Sequence, residues 1–108
     1  MNLVKPAKER RQFPRYPFVA YVEVTETRPP SMSLRGLTTD LSRQGIYIDT
    51  PTPFAIGSVV KLTILKNDKR FAAVATVIHT IPRNGMGLAF LSSRPEYLVT
   101  LERWLLEL

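Results

Sequence analysis

Arg10-Arg11-Gln-Phe-Pro-Arg15 places three arginines within six residues. The guanidinium group is always charged, and its planar fork pairs bidentately with phosphate or with the O6/N7 edge of guanine. It also stacks flat on aromatic rings. A cluster this tight can hold a compact polyanion from several sides. A second segment, Asp40-Leu-Ser-Arg-Gln-Gly45, has the composition of a turn. The Asp40 carboxylate can accept hydrogen bonds from the N–H groups on guanine's Watson–Crick edge, and the Ser42 hydroxyl can donate or accept beside it. Gly45 would permit a positive φ and a close approach of backbone to ligand. Cations for phosphate and an acceptor for a base edge together describe recognition of a purine nucleotide. The alternative for the second segment is an Asx turn in which Asp40 caps backbone and Gly45 only allows the bend.

The charge distribution agrees with an anionic ligand. Fifteen Lys and Arg stand against nine Asp and Glu in 108 residues, for a net +6. Lys5, Lys8, Arg10, Arg11 and Arg15 face only Glu9 in residues 1–15, so +4 of that excess lies in this short segment. Such a segment directs the chain towards an anionic partner, unless it is simply a solvated tail. Other chemistry is scarce. The absence of cysteine removes disulfides, thiolate zinc sites and cysteine nucleophiles, and His79 is the only histidine. With no second histidine, His79 reads as a strand or edge residue rather than a metal ligand. No apolar run reaches the 18 residues of a membrane span. The basic start lacks the apolar core of a secretory signal. The expected compartment is the cytoplasm, with neither cofactor nor metal.

Most of the chain around these residues reads as strand. Pro14 and Pro17 exclude helix at the start, and Phe18–Thr25 is rich in β-branched and aromatic residues. Further strands are expected at Leu34–Thr39, Gly45–Asp49, Val59–Leu65, Phe71–Ile81 and Met86–Phe90. Turns fall at Asp40–Gly45, Asn67-Asp68 and Pro82–Gly85, and the cations of Lys66–Arg70 solvate a hairpin. Only the end of the chain changes period. Ser93-Arg-Pro-Glu96 has capping-box spacing, and Leu98, Leu101, Leu105 and Leu108 follow at helical intervals. Trp104 is expected to pack that helix, and Glu102 and Glu107 to be plain surface charges. The expected architecture is all-β with a C-terminal helix: a six-stranded antiparallel barrel capped by one helix at about 93–108. Residues 1–15 would form a basic, flexible segment and residues 16–108 the barrel.

At Arg11-Gln-Phe-Pro-Arg15 and Asp40-Leu-Ser-Arg-Gln-Gly45 the chain resembles the PilZ family, cytoplasmic receptor domains for the second messenger cyclic di-GMP. The family pattern, RxxxR followed by [D/N]xSxxG, is met without departure. Asn84-Gly-Met-Gly-Leu-Ala-Phe90 also resembles the family's last strand, so the likeness runs from about residue 9 to the C-terminus. The resemblance implies a split barrel whose arginine segment folds over the surface when ligand arrives. Arg11 and Arg15 would then grip phosphates and guanine faces, while Asp40, Ser42 and Gly45 line a guanine site. An arginine at the Arg10 position accompanies, in this family, two stacked ligand molecules rather than one.

The function that follows is a non-enzymatic receptor or adaptor that passes the signal to an unidentified partner protein. Two alternatives belong beside it. A family member without ligand binding would act purely as an adaptor, against which the intact motifs argue. A small basic barrel binding single-stranded nucleic acid would spread cations and exposed aromatics along its strands, whereas here the excess charge sits in one segment. Catalysis on a split barrel, as in a flavin oxidoreductase, finds no nucleophile–base pair, metal set or Gly-rich phosphate loop. The helix stripe could pack on its own barrel or on a neighbour, and the sequence leaves the oligomeric state open.

Overall fold

The computed structural model describes residues 13–108. In chain order the elements are β1 (Tyr16–Pro17), β2 (Tyr21–Glu26), β3 (Ser33–Leu41), β4 (Gly45–Asp49), β5 (Val59–Lys66), β6 (Lys69–Ile81), β7 (Gly85–Ser92) and α1 (Pro95–Leu106). Strands β3, β2, β5, β6, β7 and β4 pair in that order, all antiparallel, and β4 returns to β3. The sheet therefore closes into the expected six-stranded barrel. The short β1 is an added segment on β3, pairing Tyr16 with Leu41 and Pro17 with Asp40.

Period-two alternation fills the barrel. Val22 and Val24, Val60, Leu62 and Ile64, then Phe71, Ala73, Ala75 and Val77 all point inward and are buried. The β5–β6 hairpin turns on Asn67 and Asp68, both left-handed at φ 52° and 63°, which are the residue types that tolerate this region.

The first strand departs from expectation in an informative way. Phe18–Thr25 is not one strand: the chain leaves β1, makes an irregular step at residues 18–20, and resumes as β2. The buried Thr38 hydroxyl spans that step, donating to the Phe18 carbonyl at 2.6 Å and accepting from the Ala20 amide at 2.9 Å. A side chain thus replaces ladder bonds that the irregular backbone cannot make. Thr38→Val keeps the shape but leaves both backbone groups buried without a partner. It should destabilise the domain by about 2 kcal/mol; thermal unfolding will show this, and an unchanged midpoint would mean the step is solvated instead.

α1 closes one end of the barrel through an aromatic cluster. Trp104 is 5.3 Å from Phe18 between ring centroids, and Phe71 lies 5.0 Å from Phe90 and 6.5 Å from both Tyr97 and Trp104. Because these aromatic rings dominate the contact, the buried face is Tyr97, Leu101, Trp104 and Leu105. Two members of the expected stripe, Leu98 and Leu108, are instead about half exposed, at 46% and 52%. The capping box does not form either. Ser93 donates its hydroxyl to the Ala72 carbonyl at 2.6 Å, and Arg94 occupies the N-cap without a side-chain bond.

Candidate functional site

Two β-bulges build the site. In β3 the register slips between Thr38 and Asp40, and in β6 between Val77 and His79. An extra residue reverses the in–out alternation beyond it. Thr38 and Val77 are buried, whereas Asp40 and His79, two positions later, turn outward. Pairing then aligns Asp40 with Tyr47, Tyr47 with Gly87, and Gly87 with His79. One cross-strand row over β3, β4, β7 and β6 thus presents a carboxylate, a phenol, a gap and an imidazole on the outside of the barrel.

The glycines of the Gly85-Met-Gly87 pattern make room for that row. A Cβ on Gly85 would stand 2.6 Å from Tyr47 Cε1 and 2.4 Å from the Ile48 carbonyl, so the phenol ring lies where only glycine allows it. A Cβ on Gly87 would sit 3.6 Å from both the Tyr47 ring and His79, which marks the open floor between them.

Arg15, just before β1, reaches this row from the side. Its guanidinium lies 3.8 Å from Asp40 Oδ2, an ion pair too long for a good hydrogen bond. Depressions of about 600 Å³ and 460 Å³ adjoin there, and both are lined by Arg15, Tyr47 and His79. Asp40 and Thr39 complete the first, and Phe13, Ser42 and Gln44 contribute to the second. Burial raises the Tyr47 phenol above its ordinary pKa, the negative charges of Asp40 and Asp49 add to this, and Arg15 opposes it. Tyr47 is therefore a protonated hydrogen-bond donor across the physiological range. Among the described residues, only Asp40 Oδ1 and Tyr47 Oη are buried side-chain polar atoms without a partner.

The second motif divides its labour differently from expectation. Asp40 belongs to β3, not to the turn, and its carboxylate faces Arg15 rather than capping backbone. Ser42 closes the turn: its hydroxyl accepts from the Gln44 and Gly45 amides, each at 3.1 Å. Gly45 has no positive φ. It is required by the neighbouring strand, since a Cβ there would lie 2.0 Å from the Leu88 carbonyl. Ser42 and Gly45 shape the site, and Arg15 and Asp40 face it. Arg10 and Arg11 lie outside the described residues.

Two residues set aside or passed over in the sequence belong to this surface. His79 is exposed, and both it and Tyr47 line the two depressions. Glu102 is also more than a surface charge, because it pairs with Arg43 of the motif turn at 2.8 Å and ties that turn to α1. No group of three or more His, Cys, Asp or Glu among the described residues could hold a metal ion. No helix among them is long and apolar enough to cross a membrane.

The model of the PilZ domain family matches residues 9–107. Comparison with curated proteins returned no match. Among solved structures, the chain is similar to the Bacillus subtilis inhibitor of motility MotI/DgrA, with TM-score 0.73 and 18% identity over 94% of this chain and 55% of that one. It is also similar to the PilZ domain of YcgR from Escherichia coli solved with c-di-GMP, with TM-score 0.72 and 18% identity over 92% of this chain and 91% of that domain. The PilZ domain of CeSA from a cellulose-synthesizing bacterium gives TM-score 0.67 and 19% identity over 86% of this chain and 95% of that one. The chain spans about half the length of MotI/DgrA and nearly all of the isolated domains.

Proposed function

We infer that this chain, which belongs to the PilZ domain family, is a receptor for cyclic di-GMP. The observation that carries this is the meeting of Arg15 and Asp40, far apart in sequence, where two depressions adjoin on the outside of the barrel. The ligand carries two phosphates and two guanines. It needs cations, flat faces for stacking, and acceptors for a guanine edge, and this surface offers all three. Arg11 and Arg15 take phosphates and stack on bases; Asp40 accepts from guanine N1–H and N2–H at the end of β3, beside the turn that Ser42 and Gly45 hold in shape. Arg10 joins them and favours a stacked pair of ligand molecules over a single one. The solved complex of a PilZ domain with the same ligand supports the assignment.

The receptor is non-enzymatic and works in the cytoplasm. Its output runs through the arginine segment. Phe13, Pro14 and Tyr16 share a groove with Arg43, Leu105 and Leu106 at the end of α1. Movement of residues 13–16 towards the ligand therefore alters the surface beside α1, where Leu98, Val99 and Leu106 are exposed, and a partner protein reads the change.

Calorimetric titration of the protein with cyclic di-GMP tests this, with GTP and a short oligonucleotide as controls. Saturable binding at two ligands per chain supports the receptor and the role of Arg10; one per chain keeps the receptor and removes the stacked pair. Heat from the oligonucleotide alone would favour single-stranded nucleic acid, and no heat from any would leave an adaptor without ligand. Asp40→Ala should weaken cyclic di-GMP at least tenfold more than cyclic di-AMP, as expected for a lost charge-assisted contact. Equal losses would reduce Asp40 to a structural residue.

A further inference from the structure

We propose that the Tyr47 hydroxyl is a base-reading donor of this site, giving its hydrogen bond to guanine O6 while Asp40 accepts from the adjacent N1–H and N2–H. The inference rests on the reading of the surface as a guanine-nucleotide site. Its starting point is a pair of orphaned atoms. Asp40 Oδ1 and Tyr47 Oη are both buried, both without a partner, and borne by residues directly opposed across β3 and β4. Buried polar groups in folded proteins are almost always paired, so each exception asks for a cause. Neither atom satisfies the other here, although the strand register brings their residues together.

The surroundings show that the phenol position is specified. The Tyr47 ring is laid over Gly85, where any side chain would collide with it, and the same residue lines both depressions. If the ring served packing alone, phenylalanine would fill the space and avoid a buried hydroxyl that costs stability. One acceptor and one donor, side by side, complement the edge of guanine, which offers N–H donors next to the O6 acceptor. Adenine reverses the pattern at position 6, where its amino group is a donor and would meet the Tyr47 donor. Arg15 covers Asp40 only through a 3.8 Å contact, so its transfer to a ligand phosphate breaks no short bond and opens the pair.

Tyr47→Phe in the full chain is the direct test, read by calorimetry and thermal unfolding together. Affinity for cyclic di-GMP should fall about five- to twentyfold, the loss of one hydrogen bond in a desolvated site. The melting temperature of the free protein should hold or rise, because an unsatisfied group has been removed. A purely structural tyrosine would give the opposite, a lower melting temperature with unchanged affinity, and that would overturn the proposal. A cyclic dinucleotide carrying 6-thioguanine, a weaker acceptor at position 6, checks the contact without relying on the variant. It should bind wild type several-fold more weakly than cyclic di-GMP, and equal affinities would also overturn the proposal. The two levels separate cleanly. Wild type that ignores cyclic di-GMP overturns both the receptor reading and this one, whereas wild type that binds it, with Tyr47→Phe binding equally, overturns this one alone.

Discussion

Arg15→Ala should reduce cyclic di-GMP affinity by two to three orders of magnitude or more while barely moving the melting temperature of the free protein. Charge-assisted hydrogen bonds contribute about 1.5–3 kcal/mol each, and a bidentate guanidinium supplies more than one. The free protein has little at stake. Arg15 makes a single 3.8 Å ion pair with its side chain 34% exposed, and pairs of this kind contribute about 1 kcal/mol or less. Arg15→Lys should fail almost as badly, because an ammonium keeps the charge but loses the planar fork. Arg11→Ala is expected to behave like Arg15→Ala. Wild-type affinity in all three would move the ligand away from this surface.

Trp104→Ala should have the largest effect on stability. The indole is 3% exposed and packs against Phe18 and Phe71 where α1 closes the barrel. Truncating a buried tryptophan costs about 3–5 kcal/mol, against a total stability of about 5–15 kcal/mol for a domain. At about 4–8 °C per kcal/mol for a domain near this size, the midpoint should drop by some 15 °C or more. The loss would reach the ligand site as well, because Phe18 follows β1 directly and sets the path on which Arg15 sits. A midpoint within a few degrees of wild type would show that α1 is an accessory rather than part of the core.

Local signals in the sequence carried far, and the failures share a cause. The turn at Ser42–Gly45 was legible because its residue types favour local hydrogen bonding, and the Ser42 hydroxyl makes those bonds to the Gln44 and Gly45 amides. The hairpin at Asn67-Asp68 and the strand alternation were legible because they depend on neighbours in sequence. Every error needed a distant partner. Asp40 was read into a turn because the β3 bulge that turns it outward is visible only against β4. Gly45 was credited with a positive φ when its constraint is the Leu88 carbonyl. Ser93 has the spacing of a helix cap, but α1 begins one residue later, with Arg94 at the N-cap, and the Ser93 hydroxyl is turned to the Ala72 carbonyl of β6. Tyr47 and His79 come from different strands and meet in one row only through Gly87, so no local pattern joins them. The alternating glycines of Gly85-Met-Gly87 were the available hint, since missing side chains on one strand imply large ones crossing it from the next.

Closure of the barrel also limits how a signal can leave it. Each of the six strands in the ring has a neighbour on both sides, so unpaired backbone is left chiefly at strand ends, among them the outer side of β1 and the end of β6 beyond Val77 on the side of β5. Partners that recognise one another by adding a strand to an open edge find only short templates there, and the same closure limits edge-to-edge aggregation. The partner proposed above would read side chains and shape. Its affinity should respond to single substitutions on the exposed face of α1 or along residues 13–17, and a generic extended peptide should not substitute for it.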